Sequence, residues 1–94
     1  MLLGMKQQQL VPSIDVRTLP RSSRHPTVFS LFDQLAPGHS LELLSDHDPR
    51  PLRYLFDVRR TASFHWDYLQ AGSTVWRVRI RKLAGASDSA AAAG

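Results

Sequence analysis

The chain has 94 residues, of which 43% are hydrophobic, and its 12 basic and 8 acidic residues give a formal net charge of +4 at pH 7. A chain of this length forms one small domain with a modest core. It contains no cysteine, which excludes disulfides, thiolate metal sites, persulfide chemistry and cysteine nucleophiles. We therefore expect any reactive group to be a histidine, a carboxylate or an arginine.

The two ends of the chain differ in composition from its middle. Residues 1–10 contain three consecutive glutamines at positions 7–9, which predicts a flexible lead, and residues 84–94 contain only alanine, glycine, serine and one aspartate, which predicts a disordered tail. The start lacks the apolar stretch of an export signal, and no segment approaches the roughly 20 apolar residues of a membrane span. We expect a cytoplasmic protein with one folded domain at residues 11–83.

The first half of this domain predicts a strand followed by a helix. Residues 14–17 alternate between apolar and polar side chains, as a half-buried strand does. Apolar residues then recur at helical spacing from Pro26 to Leu35, and Pro37 and Gly38 end that helix.

The second half repeats this order and adds a hairpin. A strand at residues 40–44 precedes a helix that runs to about Thr61, for which Asp48 is the predicted N-cap and Pro49 the first helical residue. Strands at residues 64–68 and 76–80 follow, and the turn at residues 71–73 makes them antiparallel.

The order β-α-β-α-β-β predicts an α/β (α+β) fold, a two-layer sandwich with a four-stranded mixed sheet and two helices on one face. The first strands should run parallel through right-handed crossovers. The residues predicted on the helix-covered face are Ile14, Val16, Leu41, Leu43, Phe64, Trp66, Trp76, Val78 and Ile80. The residues predicted on the open, charged face are Asp15, Arg17, Glu42, His65, Asp67, Arg77, Arg79 and Arg81.

The arginines of the last strand raise the question of nucleic-acid binding. Cross-strand pairs can neutralise them; the acidic partners expected for Arg77, Arg79 and Arg81 are Asp67, Glu42 and Asp15. The strand aromatics have inward parity, so none is left to stack on bases. Both observations argue against a nucleic-acid partner.

Two polar segments, residues 24–26 and 46–51, each stand between a predicted strand and a predicted helix. Such loops converge at one edge of an α/β sheet, where ligands usually bind. Because a residue before proline avoids the helical conformation, we expect His25 at or beside the N-cap, with Pro26 as the first helical residue. The positive end of the helix dipole should then favour a neutral imidazole at His25.

The candidate ligand-binding residues are Arg24, His25, Asp46, His47, Asp48 and Arg50. Among them, His25, His47 and Asp46, or Asp48 in place of Asp46, could form a two-histidine, one-carboxylate set for a divalent transition metal. Adjacent residues point in different directions, so residues 46–48 cannot all ligate one ion. Phosphate ranks below metal because prolines remove two N–H groups from the second helix start.

Simpler structural roles remain open for the same residues. Asp48 would cap the second helix by accepting the N–H of Arg50, and Asp46 would close its own turn. His47 would bond a carbonyl of the neighbouring loop, and Arg50 would pair with Asp46.

Distinctive sequence runs occur at residues 14–17, 24–26, 36–38, 41–43, 46–52 and 75–80. With these runs the chain resembles the bacterial family catalogued as domain of unknown function 2249, from about residue 14 to residue 80. That family is biochemically uncharacterised. Its members occur alone or joined to hemerythrin-like or cupin-like modules, which implies partners of that kind and a link to metal, oxygen or nitrogen-oxide physiology.

More distantly, the layout is similar to sulfur carriers of the TusA/SirA type. These proteins have the same order of strands and helices and carry a Cys-Pro pair at the start of the first helix. In this chain His25 and Pro26 stand where that pair would be. Without the cysteine, persulfide transfer does not carry over.

Two functional classes remain. The first is a non-catalytic ligand-binding or protein-interaction module that uses the loops of His25 and His47. The second is a metal-dependent enzyme or metal carrier in which these histidines hold the ion. The sequence favours the first class, because it offers no recognisable catalytic triad or glycine-rich phosphate loop and little room for a pocket of about 300 Å³.

Overall fold

Residues 11–83 are described by the computed structural model; the flexible lead and disordered tail predicted for residues 1–10 and 84–94 lie outside them. The elements in chain order are β1 (Ser13–Asp15), a 3-10 turn (Val16–Thr18), α1 (Arg21–Gln34), β2 (Ser40–Ser45), α2 (Arg50–Arg59), β3 (Phe64–Gly72) and β4 (Val75–Lys82). The predicted α+β fold and its order of strands and helices are confirmed.

The four strands form one mixed sheet in the order β1-β2-β4-β3. β1 runs parallel to β2, with Ile14 opposite Leu43, and β4 runs antiparallel to both β2 and β3. β3 continues to Gly72, so the hairpin turn lies at residues 73 and 74 rather than 71–73. A register shift between Tyr68 and Gln70 accommodates the longer strand.

Both helices pack on one face of this sheet because their apolar residues recur on one side. Phe56 of α2 is completely buried at the centre of the core. Its ring stacks on Phe29 of α1 at 4.4 Å between centroids and meets Phe32 and Phe64 edge-on at 5.1 and 5.2 Å. The other fully or nearly buried core residues are Val16, Val28, Leu41, Leu43, Leu52, Trp66, Val78 and Ile80.

The open face of the sheet carries the charged side chains, as predicted, but their pairing is narrower than expected. Glu42 takes both neighbouring arginines, Arg79 at 3.1 Å and Arg77 at 4.0 Å. Asp15 pairs with Arg17 at 2.8 Å instead of with a β4 arginine. The reason is that β2 lies between β1 and β4, whereas Arg17 lies two residues from Asp15 and also donates its backbone N–H to the same carboxylate.

The C-terminal ends of the helices are tied to each other and to the sheet. Arg60, just after α2, donates to both carboxylate oxygens of Asp33 in α1 at 2.8 and 2.6 Å. Lys82 of β4 donates to the carbonyls of Asp33 and Leu35 at 2.9 and 2.7 Å, where the helix leaves carbonyls without intrahelical partners. Neither helix within residues 11–83 has the length and apolarity to cross a membrane.

Candidate functional site

α1 begins earlier than the sequence predicts. The helix starts at Arg21, after Pro20 in the N-cap position, and the N–H of Ser23 donates to the Pro20 carbonyl at 2.9 Å. The expectation that His25 caps this helix and that Pro26 opens it is wrong, because both residues lie inside it. The added turn before Pro26 brings the half-buried Arg24 and His25 to a pocket that residues of β2 and α2 also line, and this packing outweighs the local preference of a residue before proline.

α2 also begins differently. It starts at Arg50, with the buried Pro49 in the N-cap position, and no side chain among residues 11–83 caps it. The predicted capping role of Asp48 is therefore wrong. Its Oδ1 instead accepts a hydrogen bond from the hydroxyl of Tyr68 at 2.7 Å, and its Oδ2 lies 3.6 Å from Nη2 of Arg50. The helix starts one residue later than expected, which leaves the Asp48 carboxylate free to reach β3.

Asp46 and His47 form a pair of their own. Nδ1 of His47 lies 2.7 Å from Oδ1 of Asp46, and this hydrogen bond holds the pKa of Asp46 below its usual value. Because an ionised carboxylate only accepts hydrogen bonds, Nδ1 carries a proton in this contact and Nε2 takes no part in it. Arg50 pairs with Asp48, not with Asp46 as the structural alternative proposed.

A pocket of about 40 Å³ lies between α1 and the loop that joins β2 to α2. It is lined by Val16, Arg24, His25, Val28, Leu43, Ser45, His47, Pro49, Pro51 and Leu52. The structure therefore brings three of the six candidate residues, Arg24, His25 and His47, to one site. Asp46 adjoins it through His47, whereas Asp48 and Arg50 turn toward Tyr68.

The imidazole of His25 is held in its neutral form. Burial lowers the pKa of His25 below its usual value, and charges on Arg59, His47 and Arg24 act in the same direction. The direction agrees with the sequence prediction, but the cause differs. Burial in the pocket and nearby cations favour the neutral form of the His25 imidazole, and the field of the helix start is not the cause.

Ser45 is a pocket residue that the sequence analysis missed. It is 1% exposed, and its Oγ accepts the backbone N–H of His47 at 3.4 Å, a weak hydrogen bond. The hydroxyl of Ser45 donates no hydrogen bond to another group within residues 11–83. Alternation along β2 could have identified Ser45, because Leu41 and Leu43 precede it on the inward face of the strand.

The predicted metal ligands are not assembled as a set of three. Among residues 11–83, no three histidine or carboxylate side chains are grouped so that they could hold a metal ion. His25 and His47 share the pocket, and Asp46 contacts His47.

Comparison with known proteins identifies a family. No curated protein and no solved structure matches the chain. Residues 13–82 match a family described as an uncharacterized conserved protein, DUF2249. This match covers β1 to β4, the whole sheet together with the pocket. The chain therefore belongs to the DUF2249 family.

Proposed function

We propose that this domain is a non-catalytic binding module and that its binding site is the pocket lined by His25, Ser45 and His47. The observation that carries the proposal is the pocket itself, which combines an apolar wall with two imidazoles and a buried hydroxyl. Ligand sites usually have this composition, an apolar lining with a few polar groups that fix orientation.

The size of the pocket limits the ligand. A volume of about 40 Å³ has room for about three water-sized groups. This suits a very small molecule or the tip of one side chain from a protein partner. Hemerythrin-like and cupin-like modules are the proposed partners, on the basis of the family resemblance.

The charges around the pocket favour a ligand with an anionic end. Arg24 lines the pocket, and Arg59 lies close enough to influence His25. The neutral ring of His25 and the hydroxyl of Ser45 can each donate one hydrogen bond to such a ligand. We therefore propose a small carboxylate, or a molecule of similar shape and charge, as the ligand class.

Two probes of equal shape test this proposal. Acetate and acetamide differ mainly in charge, so each is titrated into the full chain while backbone and imidazole resonances are followed by NMR. We expect acetate to shift the resonances of His25, Ser45 and His47 in a saturable manner and acetamide to bind more weakly. The variant His25→Leu should weaken acetate binding by about tenfold, since it loses a hydrogen bond to a charged group.

The matched control is His39→Leu, which changes an exposed histidine outside the pocket. It should leave acetate binding unchanged. Acetate shifts that map elsewhere, or an equal affinity in wild type and His25→Leu, would contradict the proposal.

A second candidate is a divalent transition-metal site or carrier formed by His25 and His47. One observation favours it: Asp46 holds Nδ1 of His47 and leaves Nε2 available, an arrangement typical of metal-ligating histidines. In this scheme Asp46 orients a ligand rather than binding the ion. Two protein ligands leave coordination positions for water or a partner's side chain.

Titration with Zn²⁺, Fe²⁺, Ni²⁺ and Cu²⁺ tests this candidate through the imidazole resonances of all four histidines. A metal site requires His25 and His47 to respond together at micromolar metal while His39 and His65 stay silent. A response of His47 without His25, or of all four histidines alike, would reject the shared site.

A further inference from the structure

β3 is an edge strand of unusual length for this small sheet. It spans Phe64–Gly72, and among residues 11–83 it pairs with β4 alone. The other edge strand, β1, has three residues. β3 contains no proline or lysine, two residue types that commonly protect edges. Its outer side is therefore the longest open hydrogen-bonding edge in this part of the chain.

The ladder shows which backbone groups of β3 face outward. Leu83 donates its N–H to Ser63, on the β3 side, whereas Lys82 donates to His39, on the β2 side. Hydrogen-bonding direction alternates along a strand, so His65 and Asp67 bond to β4. The N–H and C=O groups of Phe64, Trp66 and Tyr68 consequently point to the open edge.

The regular part of this edge is symmetric about Trp66. The register shift after Tyr68 ends regular pairing there, which leaves residues 64–68 with Trp66 at the centre. If a second copy aligns antiparallel on this centre, Phe64 lies opposite Tyr68 of the second copy. On the open face, His65 then lies opposite Asp67 of the second copy, in addition to the 3.8 Å contact between His65 Nε2 and Asp67 Oδ1 of its own strand.

α2 carries two residues of opposite charge, Arg53 and Asp57, that would pair with the same two residues of a second copy across this axis. The ring of Phe56 lies 5.2 Å from Phe64 and 6.0 Å from Trp66, so this part of α2 packs against the inward side chains of β3. Arg53 and Asp57 stand one turn apart and line an open groove of about 270 Å³ together with Tyr68. A two-fold axis at Trp66 would place Arg53 opposite Asp57 of the second copy.

We propose that β3 is the interface for a second copy of this chain, which adds its own β3 antiparallel with a two-fold axis at Trp66. The two sheets then become one continuous eight-stranded sheet. The charge complementarity of Arg53 and Asp57, which would pair twice across such an axis, favours a second copy as the occupant. The pairing also covers Tyr54, Tyr68 and Leu69, which are 65%, 37% and 42% exposed.

Sedimentation velocity of the full chain over a wide concentration range measures the association. We expect a monomer–dimer equilibrium. Arg53→Asp should raise the dissociation constant about tenfold, because the symmetric interface loses two attractive pairs and gains two repulsive ones. Adding Asp57→Arg to Arg53→Asp should restore the wild-type value. Arg21→Asp, at the start of α1, makes the same change in net charge outside this surface and should have no effect.

Amide hydrogen exchange identifies the interface directly. The N–H groups of Phe64, Trp66 and Tyr68 should exchange more slowly as concentration rises, whereas those of His65 and Asp67 should be protected at every concentration. A chain that stays monomeric, or a dimer that is indifferent to Arg53→Asp, would overturn the proposal. Protection of the outward amides that does not depend on concentration would also overturn it, by assigning the edge to another segment of the same chain.

Discussion

The two helix starts differ in what their neighbouring polar residues contact. α1 begins at Arg21 behind an exposed proline, Pro20, and brings His25 into the pocket wall. α2 begins at Arg50 behind a buried proline, and its acidic neighbours bond to other surface groups, Asp46 to His47 and Asp48 to Tyr68. No side chain among residues 11–83 caps either start.

This difference shows what holds the site together. α1 contributes His25, a partly buried histidine inside the helix. The loop before α2 contributes polar groups that already have hydrogen-bond partners. Since capping does not fix either helix start, buried side chains have to do so. The geometry of the pocket therefore depends on the core beneath it.

The largest expected effect is the loss of this core anchor. Phe56→Ala removes a completely buried ring that contacts both helices and should reduce the free energy of unfolding by about 3–5 kcal/mol. Urea unfolding followed by tryptophan fluorescence measures it. Should this variant fail to fold, Phe56→Leu should cost about 1–2 kcal/mol in the same assay.

Val58→Ala is the control for Phe56→Ala, since Val58 lies on the same helix and is 77% exposed. Its effect should stay within about 0.5 kcal/mol. If both variants cost the same, α2 is not held by its core contacts.

Replacing the proline near each helix start should have opposite effects on stability. Pro26 is exposed and lies inside α1, where it removes one backbone hydrogen bond, so Pro26→Ala should stabilise the protein by about 1–3 kcal/mol. Pro51 is the second residue of α2, where the N–H has no intrahelical acceptor, so Pro51→Ala should destabilise by about 0.5–1 kcal/mol. Urea midpoints of both variants give the comparison, and effects of equal sign would contradict it.

The contact between Asp48 and Tyr68 predicts a smaller coupling. A double-mutant cycle with Asp48→Ala and Tyr68→Phe should give an interaction free energy of about 0.5–1.5 kcal/mol, because each change removes the same hydrogen bond. The cycle of Asp46→Ala with Tyr68→Phe is the control and should be additive. Additivity in the first cycle would show that the hydrogen bond between Asp48 and Tyr68 contributes nothing to stability.

The smallest effect is a pH dependence at His25. Burial lowers the pKa of His25 in the folded protein, so the unfolded chain binds the proton more readily. The stability that this group contributes is present above its unfolded pKa of about 6.5 and is lost as the pH falls toward the lower folded value. Wild type should therefore lose more stability on acidification than His25→Asn, as measured by urea unfolding. His39→Asn should behave like wild type, and an identical loss in His25→Asn would show that burial does not depress the pKa.

The sequence was sufficient to predict the order and type of the helices and strands. Strict alternation in β4 and helical spacing in both helices predicted the elements, and the short turn predicted the antiparallel hairpin. The distant likeness to TusA/SirA-type carriers stays a prediction.

The details of the site could not be predicted from local sequence, because they depend on contacts between residues that are distant in the chain. The partner of Asp48 lies on β3, twenty residues away. The early start of α1 goes with the packing of Arg24 and His25 in the pocket, and Ser45 joined the pocket because β2 runs one residue further than its apolar pattern. Each of these outcomes follows from packing between distant segments rather than from local preference.

The place of β4 in the sheet has a consequence for protein synthesis. β4 is the last strand of the fold in chain order, yet it lies between β2 and β3 and pairs with both. Until it leaves the ribosome, β3 has no neighbouring strand among residues 11–83, and the carbonyls at the end of α1 lack Lys82. The nascent chain therefore cannot close its sheet or complete its core until translation has passed Lys82.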